Sequence, residues 1–378
     1  MQYRKFGKLD FQTSILGFGC MRLPVLNRNQ ANIDEVEAIR MIRHAIDNGV
    51  NYVDTAYPYH QGQSEILVGK ALQNGYREKV KLATKLPVGR CEKFEDFDSL
   101  LNEQLEKLAT DHIDFYLLHG LNRITWDKVK KLGIERFLET ALVDGRITYS
   151  GFSFHDEFPV FKEIVDSYPW TFCQIQYNYI DTEFQAGNKG LQYAAAKGLA
   201  VIIMEPIKGG KLAKTPPSSI LELWSKAEEQ RSPAEWALRW VWNHPEVTML
   251  LSGMSTMEQV EENLRVADMA KPNSLSEQEL NVIKEVKTRF GLLSRIDCTS
   301  CGYCQPCPSG VAIPRNFTIY NDAFIYDDYN SSQFVYNTFF TPESKASACT
   351  ECGACEEACP QHLSIRAHLK EVRKAFET

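Results

Sequence analysis

Short apolar runs alternate with longer amphipathic stretches through the first 252 residues of the chain. Short apolar runs between turn signals are typical of buried strands, whereas apolar residues spaced three and four apart are typical of helices. The predicted strands are residues 15–18, 50–54, 80–84, 113–118, 147–152, 172–177, 200–204 and 248–252. Eight strands that alternate with helices predict an α/β fold of the (β/α)8 TIM barrel type, and a doubly wound sheet is the competing architecture.

The start of the chain carries two further local signals. Residues 2–13 predict a short hairpin, with GKLD at residues 7–10 as its turn. The glycine-rich fingerprint with which doubly wound sheets bind dinucleotides is absent after the next strand, where residues 17–24 are GFGCMRLP. The barrel is therefore the preferred prediction.

An amphipathic helix is predicted between the first two strands. Val36, Ile39, Ile42 and Ile46 are spaced three and four residues apart, which predicts one buried stripe. Gly49 is expected just past the end of this helix, in the left-handed conformation that glycine adopts without strain.

The pattern changes at about residue 290, which predicts a barrel domain (1–290) and a mainly helical second domain (291–378). The second domain contains CTSCGYCQPCP at residues 298–308 and CTECGACEEACP at residues 349–360. The 40 residues between these segments are rich in aromatic side chains, which predicts short helices packed under the cysteines. The aromatic residues include Phe317, Tyr320, Phe324, Phe334 and Phe339. No internal repeat stands out in the sequence.

Length, charge and composition exclude several classes of protein. The chain has 378 residues, enough for a barrel of roughly 250 residues plus a smaller unit. A net charge of −7 argues against a nucleic-acid binder, which usually presents a basic face. The N-terminus lacks the apolar core of a signal peptide, and the longest apolar runs, such as residues 199–204, are too short to span a bilayer. We therefore expect a cytoplasmic protein with no nucleic-acid or membrane partner.

Eight of the eleven cysteines fall into the two C-terminal segments. Reducing conditions disfavour structural disulfides in the cytosol, so such groups indicate ligands of a metal or a cluster. Cys349, Cys352, Cys355 and Cys359, followed by proline, have the spacing of [4Fe–4S] ligands in bacterial ferredoxins. The first group consists of Cys298, Cys301, Cys304 and Cys307. It has two residues rather than three before its last cysteine. Structural zinc held by paired cysteines is the alternative.

Four polar residues lie at or just past the ends of predicted strands. Asp54 ends the second strand and Tyr59 follows it, while Lys85 and His119 come just past the next two strands. Because the carboxyl ends of barrel strands form one mouth, we expect the four side chains to converge there. Each residue alone also has a structural explanation. Asp54 could cap the next turn and Tyr59 could be an aromatic residue of the barrel rim, while Lys85 could be a solvated charge and His119 a structural histidine. Their joint occurrence favours a catalytic site.

Such a set of side chains can reduce a carbonyl compound. The developing alkoxide needs a proton, and a tyrosine with a pKa of about 10 is a poor acid at neutral pH. We expect the Lys85 cation to lower the pKa of Tyr59, and Asp54 to hold that lysine by an ion pair. His119 would donate a hydrogen bond to the carbonyl oxygen.

Residues 1–290 resemble the aldo-keto reductase family. The matching segments are GVNYVDTAYPYHQGQSE (49–65), KLATKLP (81–87), IDFYLLHGL (113–121), GRITYSGFS (145–153), CQIQYN (173–178) and SGMSTMEQVEEN (252–263). Asp54, Tyr59, Lys85 and His119 match the catalytic tetrad of that family. The resemblance implies an oxidoreductase that uses NADP or NAD to reduce an aldehyde or ketone to an alcohol.

The resemblance also implies where a nicotinamide dinucleotide binds. Gln174 would hold its carboxamide, with Ser153 beside it. The other implied cofactor-binding residues are Gly19, Cys20, Met21, Met204, Lys208, Gly209, Gly210, Gly253, Ser255, Gln259, Glu262 and Asn263. For Cys20, a role as a small buried residue is equally expected.

The sequence departs from the family's pattern at three positions. Phe154 stands where many members have asparagine, and Met204 where many have a tyrosine that stacks on the nicotinamide. Gln259 stands where many have an arginine for the 2′-phosphate of NADP. Both NADP and NAD therefore stay open.

A ferredoxin-like tail occurs in a subgroup of aldo-keto reductases, which the chain resembles throughout its length. In two-cluster ferredoxins the fourth cysteine of each run ligates the other cluster. That resemblance implies one cluster on Cys298, Cys301, Cys304 and Cys359, and another on Cys349, Cys352, Cys355 and Cys307. Because the first run is altered, a single [4Fe–4S] cluster is the other possibility.

Two functions from different classes follow. The leading hypothesis is an NAD(P)H-dependent reductase of a small-molecule carbonyl substrate, with an iron–sulfur domain whose role is structural or in electron transfer. The alternative is a redox adaptor whose barrel binds nicotinamide while its tail docks an electron carrier protein. The complete tetrad favours the enzyme.

Overall fold

The computed structural model of the protein describes residues 1–325 and 329–377. Its centre is a closed barrel of eight parallel strands in the order β10-β3-β4-β5-β6-β7-β8-β9, as predicted. The strands are β1 Tyr3–Lys5, β2 Gln12–Ser14, β3 Leu16–Gly19, β4 Tyr52–Asp54, β5 Lys81–Leu86, β6 Ile113–Leu121, β7 Ile147–Phe154, β8 Phe172–Gln176, β9 Ala200–Met204 and β10 Met249–Gly253. Each barrel strand overlaps one predicted strand, with ends that differ by up to three residues.

Helices follow the barrel strands and make up most of the C-terminal part. They are α1 Glu35–Asp47, α2 Ser64–Ala71, α3 Glu95–Leu108, α4 Arg123–Leu132, α5 Ile134–Val143, α6 Phe158–Ser167, α7 Gly187–Ala196, α8 Ser218–Trp224, α9 Pro233–Trp242, α10 Met257–Met269, α11 Glu277–Leu293, α12 Ile313–Ile325, α13 Tyr329–Phe339, α14 Ala354–Glu357 and α15 Ile365–Phe376. Within the described residues, no helix has both the length and the apolar composition needed to cross a membrane.

The amino-terminal end of the barrel is closed by aromatic side chains. The antiparallel β1–β2 hairpin, which the sequence predicts, carries Phe6 to this end. Phe6 is fully buried, and its ring centroid lies 4.5 Å from that of Phe115 in β6. Tyr52 and Phe172, the first residues of β4 and β8, pack in the same cluster. Because this end is filled, a ligand has to approach the polar residues at the carboxyl ends of the strands.

Helix α1 buries a different stripe from the predicted one. Val36 is 82% exposed, and the buried apolar face instead centres on Met41, Ile42 and Ile46. The apolar spacing from Ile42 to Ile46 was sufficient to predict a helix, but Val36 lies on its other side. Gly49 follows the helix at φ +96°, as predicted.

Contacts within the chain divide it into two compact units. The barrel unit comprises Met1–Pro206 and Leu238–Ser274, and the cysteine unit comprises Ile207–Ala237 and Leu275–Thr378. The predicted domain boundary at residue 290 stays a prediction. Within the cysteine unit α8 packs against α11, which places the segment around α8 with the C-terminal helices.

The core of the cysteine unit is partly as expected. Phe317 in α12 and Tyr336 in α13 are fully buried, and both helices pack against α15. The prediction that the aromatic residues all pack under the cysteines is wrong for Phe334 and Phe339, which are 65% and 59% exposed. Helix α13 turns the face that carries Tyr336 to the core, and these two residues lie away from it.

Candidate functional site

The four predicted catalytic side chains meet at the carboxyl end of the barrel. Lys85 Nζ donates hydrogen bonds to Asp54 Oδ1 at 2.5 Å and to the Thr55 carbonyl at 2.8 Å. The same ammonium lies 3.3 Å from the hydroxyl of Tyr59. The Tyr59 and His119 rings meet edge to face, with centroids 6.0 Å apart. One lysine therefore links the carboxylate to the phenol, with the imidazole beside them.

Strand register explains this convergence. Asp54, the last residue of β4, pairs with Ala83 of β5, so Lys85 stands one pleat further on the same face. The prediction that Lys85 and His119 lie just past their strands is wrong, because β5 and β6 continue through both residues. These strands can continue through polar residues because the polar side chains point to the barrel mouth.

Burial sets the protonation states at this site. Lys85 and Asp54 are 1% and 2% exposed, so they form a buried ion pair. Burial raises the pKa of the Tyr59 phenol well above 10.0, and the Asp54 carboxylate raises it further. The expectation of a lowered pKa for Tyr59 is wrong, because burial and the Asp54 carboxylate both raise it. Burial lowers the pKa of His119 well below 6.5, and the positive charge of Lys85 lowers it further, so the imidazole is neutral at pH 7.

A polar network behind β5 was not predicted. Gln104 of α3 donates from Nε2 to the Lys85 carbonyl at 3.0 Å and to Glu65 Oε1 at 2.6 Å. Thr84 donates to the same Glu65 oxygen at 2.6 Å, and Tyr116 donates to Gln104 Oε1 at 2.8 Å. Burial raises the pKa of Glu65. The network fixes the end of β5. Its sequence signal is the position of Gln104, three residues after the buried Leu101 and four before the buried Leu108 of α3.

Two of the implied cofactor residues sit beside the tetrad. Gln174 donates from Nε2 to Asp54 Oδ2 at 2.7 Å, which gives the carboxylate a second partner. Ser153 pairs with Gln174 across β7 and β8, and its Oγ accepts the Gly120 amide at 2.8 Å. Both residues therefore belong to the barrel mouth.

The residues after β3 lie close to the same group. Gly19 pairs with Asp54 in the sheet, and Cys20 and Met21 follow it in a short 3-10 turn. Cys20 is fully buried. Burial raises the pKa of its thiol, and the Asp54 carboxylate also raises it. The expectation of a small buried residue fits Cys20.

The implied residues after β10 contact one another at the start of α10. Gln259 Oε1 accepts the amide of Ser255 at 2.8 Å, and the Ser255 hydroxyl donates to the Arg22 carbonyl at 2.7 Å. Asn263 donates to the Ser252 hydroxyl at 2.9 Å. A Cβ at Gly253 would lie 3.2 Å from the Arg22 side chain, which is a tight contact. Glu262 is half-buried on α10.

Arg22 is a polar residue that the sequence reasoning missed. Its Nη2 atom is buried and, within the described residues, has no hydrogen-bond partner. The nearest carboxylate contact is Glu205 Oε1 at 3.9 Å, just after β9. Both charges act on the pKa of Tyr59, which Glu205 raises and Arg22 lowers. This guanidinium could receive an anionic group near the barrel mouth.

The segment after β9 contains the remaining implied cofactor residues. Met204 is the half-buried last residue of β9. Lys208, Gly209 and Gly210 have φ values of +48°, +66° and +90°. Glycine adopts this conformation readily, whereas at Lys208 it is strained. These three residues belong to the cysteine unit.

The eight C-terminal cysteines line two cavities within the cysteine unit. The inner cavity is lined by Cys298, Cys301, Cys304 and Cys359. The outer cavity is lined by Cys307, Cys349, Cys352 and Cys355. Ile313 lines both cavities. Each cavity combines three cysteines of one run with the last cysteine of the other, which is the crossed grouping implied by two-cluster ferredoxins.

The two cysteine loops share one backbone conformation. The amide of Ser300 donates to Cys298 Sγ at 3.4 Å, and the amide of Glu351 donates to Cys349 Sγ at 3.4 Å. Both donor residues have φ +58°. The prediction of no internal repeat is wrong at this scale: CTSCGYC and CTECGAC are a seven-residue repeat. The repeat is short, and its shared cysteines had already been explained as cluster ligands.

Across residues 1–325 and 329–377, no three His, Cys, Asp or Glu side chains stand close enough together to hold one metal ion. Four ligands around a larger group have to stand further apart than four ligands around one ion.

Comparisons with known proteins agree with both parts of the chain. The model of the aldo/keto reductase family matches residues 15–287, and the model of a 4Fe-4S dicluster domain matches residues 297–363. The uncharacterized oxidoreductase YrpG of Bacillus subtilis is 27% identical over 327 residues, covering 76% of this chain and 96% of that protein. Probable aldo-keto reductase 1 of Glycine max is 25% identical over 321 residues, covering 74% and 87%.

Solved structures give the same result. The aldo-keto reductase AKR11C1 from Bacillus halodurans, in its holo form, has a TM-score of 0.63 and 29% identity, covering 76% of this chain and 96% of that one. An aldo/keto reductase from Klebsiella pneumoniae in complex with NADP and acetate has a TM-score of 0.61, covering 75% and 94%, and at 22% identity it supports the fold alone. The chain therefore belongs to the aldo/keto reductase family and carries a 4Fe-4S domain at its C-terminal end.

Proposed function

We propose that the protein is an NAD(P)H-dependent reductase of aldehydes or ketones that acts in the cytoplasm. The observation that carries the proposal is the Lys85 ammonium, which contacts the Asp54 carboxylate and the Tyr59 hydroxyl beside His119. The test is turnover of a panel of aldehydes and ketones with NADPH and with NADH. Failure of every carbonyl compound with both nucleotides would contradict the proposal.

In the proposed mechanism, Tyr59 is the proton donor and His119 orients the substrate. When bound, a reduced nicotinamide supplies the hydride. The neutral imidazole of His119 donates a hydrogen bond to the carbonyl oxygen and polarises it. Tyr59, which is protonated at neutral pH, gives its proton to the same oxygen. Lys85 steadies the resulting phenolate, and Asp54 keeps the lysine in place.

The barrel mouth offers suitable partners for a dinucleotide. The buried Nη2 of Arg22 can pair with a phosphate oxygen, and Gln174 and Ser153 can contact the carboxamide. The start of α10 adds the partial positive charge of a helix N-terminus. Gln259 is neutral and already accepts the Ser255 amide, so it adds no charge that selects a 2′-phosphate. The proposal therefore includes both NADP and NAD.

Two [4Fe–4S] clusters are proposed for the cysteine unit, one in each cavity. The crossed lining of the cavities supports this assignment. A single zinc ion binds thiolates at about 2.3 Å, which draws its four sulfurs together. The combination of three cysteines of one run with the last cysteine of the other fits a cube with one iron at each thiolate. The fourth cysteines, Cys359 and Cys307, would thereby tie the two runs together.

We expect that the clusters take no electrons directly from NAD(P)H. The nicotinamide gives two electrons together as a hydride, whereas a [4Fe–4S] cluster accepts one at a time, and proteins that join the two usually use a flavin. NADH or NADPH added anaerobically to flavin-free protein should produce no reduced-cluster EPR signal, while dithionite in the same tube should produce one. A signal that grows as fast as turnover would contradict this expectation.

The exposure of Cys352 favours a second candidate function, a redox adaptor that docks an electron carrier. Cys352 is exposed at the outer cavity, whereas Cys298 and Cys359 of the inner cavity are buried. An electron carrier could therefore approach the outer cluster most closely. Tight NAD(P)H binding without useful turnover of any carbonyl compound would favour the adaptor over the reductase.

The pH dependence of the two reaction directions should differ. Reduction needs the protonated form of Tyr59, which is present below its pKa. Because burial raises that pKa above 10.0, kcat for reduction should show no fall from Tyr59 deprotonation up to about pH 10. Alcohol oxidation needs the phenolate, so its kcat should rise through the same range. The prediction would be contradicted if the wild-type rate of reduction fell near pH 8 while the residual rate of Tyr59→Phe did not. Such a result would show that the pKa of Tyr59 is much lower.

A further inference from the structure

Lys211 contacts the cysteine loop from a distant part of the sequence. It follows Gly210 in the segment after β9, and its Nζ donates to the carbonyl of Cys298 at 2.5 Å. Both residues belong to the cysteine unit, so this contact lies within one compact unit. A second lysine of the same segment, Lys214, pairs instead with Asp322 of α12 at 3.3 Å.

The charge of Lys211 distinguishes two cysteine loops that share one local hydrogen-bond pattern. Cys298 and Cys349 begin the same seven-residue repeat and accept equivalent N–H···S hydrogen bonds. The outer cavity is lined by Arg366, but its guanidinium pairs with the Glu356 carboxylate at 2.7 Å. Lys211 instead donates to a carbonyl, which carries no formal charge. Cys298, which lines the inner cavity, is therefore bonded to a cation that its hydrogen-bond partner does not neutralise.

We propose that Lys211 is a positioning residue whose charge raises the reduction potential of the inner cluster. The inference rests on the proposed cluster in the cavity of Cys298, Cys301, Cys304 and Cys359. One-electron reduction adds a negative charge to a cluster, and a nearby cation in a buried site stabilises that charge. Local charge and hydrogen bonds to the sulfurs are established determinants of cluster potentials.

The test is a redox titration of the full-length protein with dithionite, followed by EPR under anaerobic conditions. In Lys211→Met, one of the two midpoint potentials should fall by roughly a tenfold change in equilibrium constant, which is 59 mV for one electron. The other midpoint should not move. Lys211→Arg keeps the charge and should behave as the wild type. Lys214→Met is the matched control, because its lysine is bound to Asp322 and should leave both potentials unchanged.

Iron and acid-labile sulfide are measured first in every variant. Wild-type protein without iron and sulfide would contradict the proposed clusters themselves, whereas intact clusters with unchanged potentials in Lys211→Met would overturn the role of Lys211 alone. Equal shifts of both midpoints would also overturn it. If Lys211→Met loses iron, Lys211→Gln takes its place, since an amide can still donate to the Cys298 carbonyl without the charge. A glutamine variant with wild-type potentials would show that charge has no part.

Discussion

Tyr59→Phe should lower the rate of carbonyl reduction by at least about 100-fold and leave the affinity for NAD(P)H nearly unchanged. The phenylalanine keeps the ring beside His119 and removes only the proton that the developing alkoxide needs. The lost hydrogen bond from Lys85 is long, at 3.3 Å, so little stability should be lost with it. The measurement is kcat and KM with the best carbonyl substrate, together with the Kd of NAD(P)H by fluorescence.

Tyr57→Phe is the matched control for that experiment. Tyr57 lies two residues away, but its hydroxyl donates to the Glu103 carboxylate of α3 at 3.0 Å and not to the tetrad. Its replacement removes a phenol from the same loop and should leave turnover within a few-fold of the wild type. A Tyr59→Phe enzyme that keeps more than about a tenth of the wild-type rate would exclude Tyr59 as the general acid.

Replacement of Lys85 or Asp54 would test the mechanism less cleanly. The two residues form a buried ion pair, and removal of one partner from such a pair typically costs about 3–5 kcal/mol of stability. Lys85→Met would leave Asp54 buried with Gln174 as its remaining side-chain partner. Loss of activity in that variant would mix a chemical effect with an effect on folding, which Tyr59→Phe avoids.

The sequence was sufficient to predict the barrel because its strands are short apolar runs in a regular alternation with helices. The run 200–204 coincides with β9, and the others miss their strands by a few residues. Among the carboxyl ends of the strands, the largest misses are at β5, β6 and β7. There the strands continue through Lys85, His119 and Ser153, whose side chains point to the barrel mouth. A strand predicted from an apolar run therefore stops at the first polar residue, although the strand itself continues.

The tetrad was predictable because its members follow neighbouring strands, whereas contacts between distant segments were not. The hydrogen bond from Gln174 to Asp54 joins residues 120 positions apart, and Lys211 reaches Cys298 across 87 positions. Neither contact leaves a local pattern, since each depends on how the strands and loops assemble. The pKa of Tyr59 was mispredicted for a related reason: its direction depends on burial, which only the assembled barrel determines.

Replacement of Cys298 and Cys359 together should remove about half of the iron, whereas replacement of Cys349 and Cys359 together should remove nearly all of it. In the proposed crossed ligation, Cys298 and Cys359 line the inner cavity and Cys349 lines the outer one. Two intact clusters contain about eight irons per chain, so the first alanine double variant should keep about four and the second almost none. The measurement is iron and acid-labile sulfide in anaerobically purified protein.

Ligation within each run would reverse these two results, which makes the pair of double variants decisive. Under that arrangement Cys349 and Cys359 would share a cluster, and their joint loss would spare the other one. Single replacement of Cys298 or Cys359 guards against collapse of the whole domain, because each should already leave about four irons. If Cys298 and Cys359 ligate the same cluster, the double variant should contain as much iron as either single variant. The loss of a second ligand from a cluster that is already lost removes no further iron. Cys91→Ala, in the barrel unit, should keep the full content, and zinc without sulfide in any of these proteins would reject the clusters.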